Sequence, residues 1–151
     1  MQIIGRREFV DLLDLELNGL EAKIDTGAYT SALHCHDIKE EFLGNVKTLC
    51  FKLLDPQHPE YNHKTFRSTS YTKKLIKNSF GEKEERFVIK TRILIAKKKI
   101  NSSFSLTDRG NMKYPILIGR RLIKGKFMID VKKIHTGGLT IHHKIETQIN
   151  P

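Results

Sequence analysis

Residues 17–28 read LNGLEAKIDTGA, and this stretch decides the fold of the chain. Apolar and charged residues alternate over 20–24, which is the period-two pattern of a half-buried β-strand. Asn18-Gly19 just before them predicts a two-residue hairpin turn, because both central positions of that turn favour a positive φ. We therefore expect the chain to fold back and present Asp25 where the second strand ends, with Gly27 permitting a sharp turn.

Asp25-Thr26-Gly27 predicts a specific chemistry as well as a turn. Aspartic proteases present their catalytic carboxylate in this way, at the end of a strand and held by Thr and Gly. Two such groups about 3 Å apart share one proton, so that one acts as base and the other as acid. The chain has one copy and no internal repeat, so we expect a homodimer with both Asp25 residues at the twofold axis. The alternative is an ordinary turn, in which Asp and Gly are common.

A second apolar stretch, residues 116–120 (ILIGR), follows about ninety residues later. It predicts a short buried strand over Ile116–Ile118, and Arg120–Lys124 is expected to form a short helix. In acid-protease folds an apolar strand that ends in Gly packs beneath the catalytic loop, and we expect Gly119 to lie there. The alternative is a core strand that ends in an ordinary turn.

The rest of the chain reads as short strands in a single, mainly β domain. We expect this domain to span residues 1–135, with a C-terminal tail of uncertain order over 136–151. The further predicted strands are Val46–Leu54, Tyr71–Ile76, Arg86–Ile95, Ile100–Thr107 and Lys126–Val131, with Asn78–Glu82 as the tip of a hairpin.

Composition limits the function classes. The first residues carry charge early, and no stretch approaches the ~20 apolar residues of a membrane span, so neither a signal peptide nor a membrane protein is expected. Two cysteines, Cys35 and Cys50, are expected to be reduced thiols in a cytoplasmic protein. A net charge of +10 attracts nucleic acid, anionic lipid or acidic protein segments, and a solvated basic face without a partner is the favoured alternative. Nucleic-acid binding is disfavoured, because the aromatic residues do not interleave with the basic ones.

Four stretches together resemble one known family. They are IGRREFVDL (4–12), AKIDTGAYTSALH (22–34), FGEKEERFVIKT (80–91) and LTDRGNMKYPILIGRRLIKGKFMIDV (106–131). They are similar, in the same order, to a bacterial family of retropepsin-like aspartic peptidases long labelled ATP-dependent zinc proteases. The resemblance covers nearly the whole chain to about His135. Members are often found with, or fused to, ATP-grasp ligases that add glutamates to a ribosomal protein, so such a ligase is an expected partner.

The resemblance implies a fold and a set of site residues. The fold is a retropepsin-like (acid protease) closed β-barrel with one short helix. Asp25 is the catalytic carboxylate, and Thr26 and Gly27 complete its loop. Ala28, Phe80 and Gly81 are expected to contact substrate, with the hairpin around Phe80 acting as a flap that excludes water.

Four more residues are expected to support the site through this resemblance. Arg120 matches an Arg that pairs with an acid in related folds and supports the dimer, and Arg7 could make a similar ion pair. Ser31 could satisfy backbone groups beside the loop. Gly119 ends the strand that packs beneath it.

Neither half of the family's older label has support in the residues. A phosphate-binding Gly-rich loop and a His-Glu-x-x-His motif are both missing, so we expect no cofactor and no metal. The tempting cluster is His34-Cys35-His36, and added ligands from Cys50, His58 or His63 fit no standard spacing.

Three hypotheses follow for the function. The leading one is a cytoplasmic, homodimeric aspartic endopeptidase that acts on a protein or peptide, with a modified or acidic tail as the suggested substrate. The second is a non-enzymatic binding module of the same fold that regulates an ATP-grasp ligase or a ribosomal protein. The third is a metal-dependent hydrolase that uses the His/Cys cluster.

Overall fold

The structure is a computed structural model that describes residues 1–77, 80–108 and 113–137. These residues form eleven strands and one short helix. The strands are β1 Gln2–Ile4, β2 Arg7–Leu12, β3 Leu17–Ile24, β4 Ser31–Leu43, β5 Val46–Leu53, β6 Thr65–Ser68, β7 Thr72–Lys77, β8 Lys83–Ile95, β9 Lys98–Thr107, β10 Ile116–Ile118 and β11 Phe127–Ile129, and the helix is α1 Arg120–Ile123. None of these three segments contains a helix of the length and apolar character needed to cross a bilayer.

Six strands close into a barrel. They pair in the order β10, β3, β2, β8, β9 and β4, and β4 pairs back onto β10. The closing strand β10 lies parallel to β3, with Ile116 opposite Ala22, and antiparallel to β4, with Ile116 opposite Leu33. The predicted mainly β, closed-barrel fold with one short helix is therefore confirmed.

Three strands extend the barrel and two form a separate pair. β5 and β6 continue the sheet beyond β4, and β7 forms an antiparallel hairpin with the outer part of β8. β1 and β11 make a small parallel sheet of their own. The long strand β4 changes partner along its length: residues 31–34 pair with β9, and Cys35–Leu43 pairs with β5.

The alternating pattern of β3 positions the site. Leu20, Ala22 and Ile24 are buried in the core, as their period-two spacing predicts. Ile116 and Ile118 of β10 are fully buried beside them. Because both strands are held by the core, the chain that leaves each of them starts from a fixed point.

The predicted Asn18-Gly19 turn is wrong in position. The turn that joins β2 to β3 lies over residues 13–16, and Asn18-Gly19 lies inside β3. Gly19 does adopt a positive φ of 67°, but its N–H donates to the Asp11 carboxylate (2.7 Å) where the register of β2 and β3 shifts. The positive φ therefore serves a β-bulge and not a turn.

The other predicted strands are present, with ends that differ by a few residues. The sequence patterns missed β1, β4 and β6. The tip of the β7–β8 hairpin falls in part on residues 78–79, which lie outside the described residues. The division into a domain over 1–135 and a tail over 136–151 stays a prediction, because only 136 and 137 of that tail are described. Both of those residues donate hydrogen bonds to Glu8.

Both cysteines are free, buried thiols, Cys35 on β4 and Cys50 on β5. Burial raises the pKa of Cys35 well above its ordinary value. Burial, together with the Glu41 carboxylate that accepts the Cys50 Sγ–H (3.1 Å), raises the pKa of Cys50. Since the thiolate is the reactive form, we expect both thiols to react with an aromatic disulfide reagent at least about 100-fold more slowly in native buffer than in denaturant. Rapid native labelling of either thiol would contradict the burial described here.

Candidate active site

The loop over 25–28 is a tight turn fixed at both ends. The Asp25 N–H donates to the Ile118 carbonyl of β10 (2.8 Å), and the Ala28 N–H donates to the Asp25 carbonyl (3.2 Å). A Cβ at Gly27 would lie 3.4 Å from Asp25 Oδ1, so the backbone at 27 runs directly beside the carboxylate. The Asp25 side chain is partly exposed. It is therefore held in place and remains accessible to solvent.

Gly119 lies beneath this loop in close backbone contact. A Cβ there would fall 2.6 Å from the Tyr29 carbonyl oxygen, so only glycine fits without displacing the backbone. The Gly119 N–H donates to Ser31 Oγ (3.0 Å), and the Arg120 N–H donates to the Ala28 carbonyl (2.9 Å). The predicted arrangement, with β10 and its glycine packed beneath the Asp25 loop, is the one observed.

Arg120 covers the same loop from the side. Its Nη1 donates to the carbonyls of Thr26 and Gly27, each at 3.3 Å, and its guanidinium lies 5.4 Å from the centre of the Tyr29 ring. Within the described part of the chain Arg120 pairs with no acidic side chain. The exposed Thr26 hydroxyl also has no hydrogen-bond partner there. The expected acid partner of Arg120 stays a prediction.

A groove of about 550 Å³ lies above the loop, and we call it the Asp25 groove. The loop and β10 form its floor, and the arms of the β7–β8 hairpin form a wall. Asp25 is the one acid among its described lining residues, against three cations: Lys77, Arg86 and Arg120. The described lining residues are Asp25, Gly27, Ala28, Tyr29, Thr30, Ala32, Leu75, Ile76, Lys77, Arg86, Thr107, Leu117 and Arg120.

Two predicted substrate contacts lie apart from this groove. Phe80 is 89% exposed and Gly81 has a φ of 80°, and neither is among the described lining residues. The hairpin reaches the groove through its arms, at residues 75–77 and at Arg86. A substrate role for Phe80 and Gly81 stays a prediction, and Ala28, the third predicted contact, does line the groove.

Arg7 also lies outside the groove. Its Nη1 is 3.6 Å from the Glu21 carboxylate and donates to the Tyr114 hydroxyl at 3.4 Å. The same Glu21 carboxylate also forms a hydrogen bond with His135 Nε2, and the His135 ring stacks on Phe9. Arg7 thus takes part in an ion pair on the outer side of β2 and β3, and its expected support of the site stays a prediction.

Sequence reasoning missed most of the groove residues, among them Tyr29, Lys77 and Arg86. Arg86 carried a usable signal, because it falls at an inward position of an otherwise alternating strand, next but one to the buried Val88. A charged residue at such a position is either paired or functional.

The His/Cys cluster is dispersed by the fold. His34 is buried, with its Nε2 3.9 Å from the Asp55 carboxylate, while His36 faces the Leu54 carbonyl (2.8 Å) and the Tyr61 hydroxyl (3.2 Å). Among the residues that the structure describes, no three His, Cys, Asp or Glu side chains are grouped to hold a metal ion.

Comparison with known proteins gives one family and several relatives. The family model for the retropepsin-like aspartic endopeptidase RimB matches residues 3–137. Probable alpha-L-glutamate ligases match as well. The one from Parasynechococcus marenigrum is 26% identical over 99% of this chain. The one from Desulfotalea psychrophila is 29% identical over 85% of this chain, and the one from Shewanella pealeana is 30% identical over 85%. The chain spans about a third of their length, 28–32%.

A solved structure supports the same fold. The Legionella pneumophila protein Lpg0085, described as having unknown function, superposes with a TM-score of 0.70. It is 26% identical, and the match covers 90% of this chain and 98% of that one.

Proposed function

Because the chain belongs to the family of the retropepsin-like aspartic endopeptidase RimB, we propose that it hydrolyses peptide bonds with a water held between the Asp25 carboxylates of two subunits. One observation carries this proposal. Asp25 is fixed by the Ile118 carbonyl on the floor of a groove large enough for a peptide, and it is the one acid among the described residues that line it.

The two carboxyl groups would divide the chemistry. The ionised Asp25 takes a proton from the water as its oxygen attacks the peptide carbonyl carbon, and the protonated Asp25 gives its proton to the carbonyl oxygen. The resulting tetrahedral diol collapses when the first carboxyl group protonates the leaving nitrogen and the second takes back a hydroxyl proton. The C–N bond then breaks, and the shared proton is restored.

The single chain offers half of this arrangement. Its groove supplies one carboxylate, and the exposed hydroxyl of Thr26 finds no partner in the described residues. In a twofold dimer, Thr26 of each subunit would hydrogen-bond across the axis and hold the two loops together. Dimerisation is therefore part of the proposed mechanism.

The proposed substrate is an acidic segment of a protein. Three cations around the Asp25 groove and a net charge of +10 favour acidic peptides. Relatives carry the name of glutamate ligases, and this chain matches under a third of their length, which supports action alongside such a ligase. We place the protein in the cytoplasm, in keeping with its two free thiols.

Mixing subunits tests the shared site directly. Wild-type protein and the Asp25→Asn variant are allowed to exchange at equal concentrations, and cleavage of a glutamate-rich peptide is then measured at fixed total protein. If both carboxylates are needed, only wild-type pairs are active, and about a quarter of the activity of undiluted wild type remains. Separately acting subunits would leave about half.

The cleavage assay, together with the oligomeric state and peptide binding, separates this proposal from the metal-dependent hydrolase and the non-enzymatic binding module. An active strict monomer, or activity that a chelator abolishes, would overturn the shared-proton mechanism. A pure, dimeric protein that binds the peptide but cleaves none of it would favour the non-enzymatic binding module.

A further inference from the structure

Arg86 is a buried arginine in the wall of the Asp25 groove. It lies on β8, its side chain is 8% exposed, and it lines the groove together with Asp25. We infer that its guanidinium binds a side-chain carboxylate of the peptide and selects acidic residues, an inference that rests on the proposed function. The assignment makes Arg86 a specificity-determining residue rather than a catalytic one.

The contacts of Arg86 leave one nitrogen of its guanidinium without an acceptor. Its Nε donates to Glu84 Oε1 at 2.5 Å, and Glu84 is itself 44% exposed. Its Nη2 is buried and makes no hydrogen bond within the described residues. A buried N–H without an acceptor costs free energy, and a charged one costs more. An arginine that serves only the barrel would be expected to have all of its donors satisfied.

The other two cations of the groove are placed differently. Arg120 already donates to the carbonyls of Thr26 and Gly27, and Lys77 is exposed near the hairpin tip. Arg86 is therefore the groove cation that combines a buried position with a donor lacking an acceptor, and a charge-assisted hydrogen bond is strongest in such a position.

The chemistry of the guanidinium indicates which ligand class would satisfy the Arg86 Nη2 donor. A guanidinium presents parallel N–H groups that match the two oxygens of a carboxylate. A glutamate side chain in the groove supplies two acceptor oxygens and a negative charge. A glutamine side chain supplies one oxygen and an NH2 group that repels the donor. We therefore expect discrimination between glutamate and glutamine at one position of the bound peptide.

Binding can be measured without cleavage. In the Asp25→Asn background, the affinity of the intact dimer for a fluorescent glutamate peptide and its glutamine counterpart is measured by anisotropy. We expect Arg86→Gln to reduce the glutamate preference by about tenfold or more, the usual effect of losing a charge-assisted hydrogen bond. Arg86→Lys keeps the positive charge but lacks the parallel N–H groups of a guanidinium, so it should lose part of the glutamate preference.

Arg92→Gln is the matched control. Arg92 is on the same strand, is 54% exposed, and pairs with Asp14 at 2.7 Å, outside the described lining of the groove. The Arg92→Gln substitution removes the same charge as Arg86→Gln and should leave the preference for the glutamate peptide unchanged. The inference would be overturned if Arg86→Gln and Arg92→Gln reduced the glutamate preference equally. It would also be overturned if Arg86→Gln lowered the affinity for the two peptides by the same factor. Thermal melting identifies a variant that fails to fold, and Arg86→Lys then decides the question.

The outcome separates this inference from the proposed function. If wild type cleaves neither peptide while Arg86→Gln still removes the binding preference, the peptidase proposal fails and the Arg86 assignment stands. If wild type cleaves the glutamate peptide and Arg86→Gln leaves the ratio of kcat/KM for the two peptides unchanged, the Arg86 assignment alone fails.

Discussion

Asp25→Asn is expected to lower the rate of peptide cleavage by roughly 10²–10⁴-fold, the range for loss of a general acid–base group. In the proposed homodimer the change removes both carboxyl groups at once, so neither a base nor a shared proton is left. An amide has no group that titrates in the working range and cannot take the proton from water. The measurement is the initial rate of cleavage of a glutamate-rich peptide at saturating and limiting concentrations.

The fold of this variant should be intact. The hydrogen bonds that fix the loop involve the backbone at position 25, namely its N–H to Ile118 and its carbonyl from Ala28, and these are independent of the side chain. Asp37→Asn is a suitable control, because Asp37 is 63% exposed and paired with Lys52 on the surface. Cleavage by Asp25→Asn within a few-fold of wild type, with the same melting temperature, would remove Asp25 from the mechanism.

Glu8→Gln is expected to have the largest effect on stability. Glu8 is fully buried in β2, and its carboxylate accepts four hydrogen bonds from main-chain and hydroxyl groups. The donors are Gly5 N–H (2.8 Å), Thr136 N–H (3.0 Å), Thr136 Oγ1–H (2.8 Å) and Gly137 N–H (2.9 Å). A glutamine side chain can accept with only one oxygen, and its NH2 group would face a donor instead of an acceptor.

We expect this change to lower the free energy of unfolding by about 3 kcal/mol and the melting temperature by roughly 10 °C. Glu60→Gln is the matched control, because Glu60 is exposed, and surface changes of this kind cost less than about 0.5 kcal/mol. Urea denaturation followed by circular dichroism gives both values. Equal midpoints for the two variants would show that the buried carboxylate contributes nothing to stability.

The parts of the site that rest on local patterns could be predicted from the sequence. The alternation over 20–24 indicated which face of β3 is buried, and the apolar run 116–118 indicated a buried strand. A turn motif directly after the first strand and a glycine directly after the second then located the Asp25 loop and its support. In each case the deciding residues lie within about ten positions of one another.

The parts that depend on distant partners could not be predicted in this way. Asn18-Gly19 has the sequence of a turn, but the acceptor that draws it into a bulge is Asp11 on the facing strand. β4 was missed because its alternation breaks where the register with β5 shifts between His36 and Lys39, close to the positive φ of Asp37. The role inferred for Arg86 depends on which atoms surround it in three dimensions.

The dependence of Asp25 on β10 has a consequence for synthesis of the protein. Ser31 and Gly119 are 88 positions apart, and the strand that receives the Asp25 N–H is among the last described elements to leave the ribosome. Contacts with such a long sequence separation form late, and the earlier strands can pair before them. A nascent chain that ends before residue 116 has its acid but lacks the strand that fixes it. Any hydrolytic activity would therefore require that β10 has been synthesised and has emerged from the ribosome.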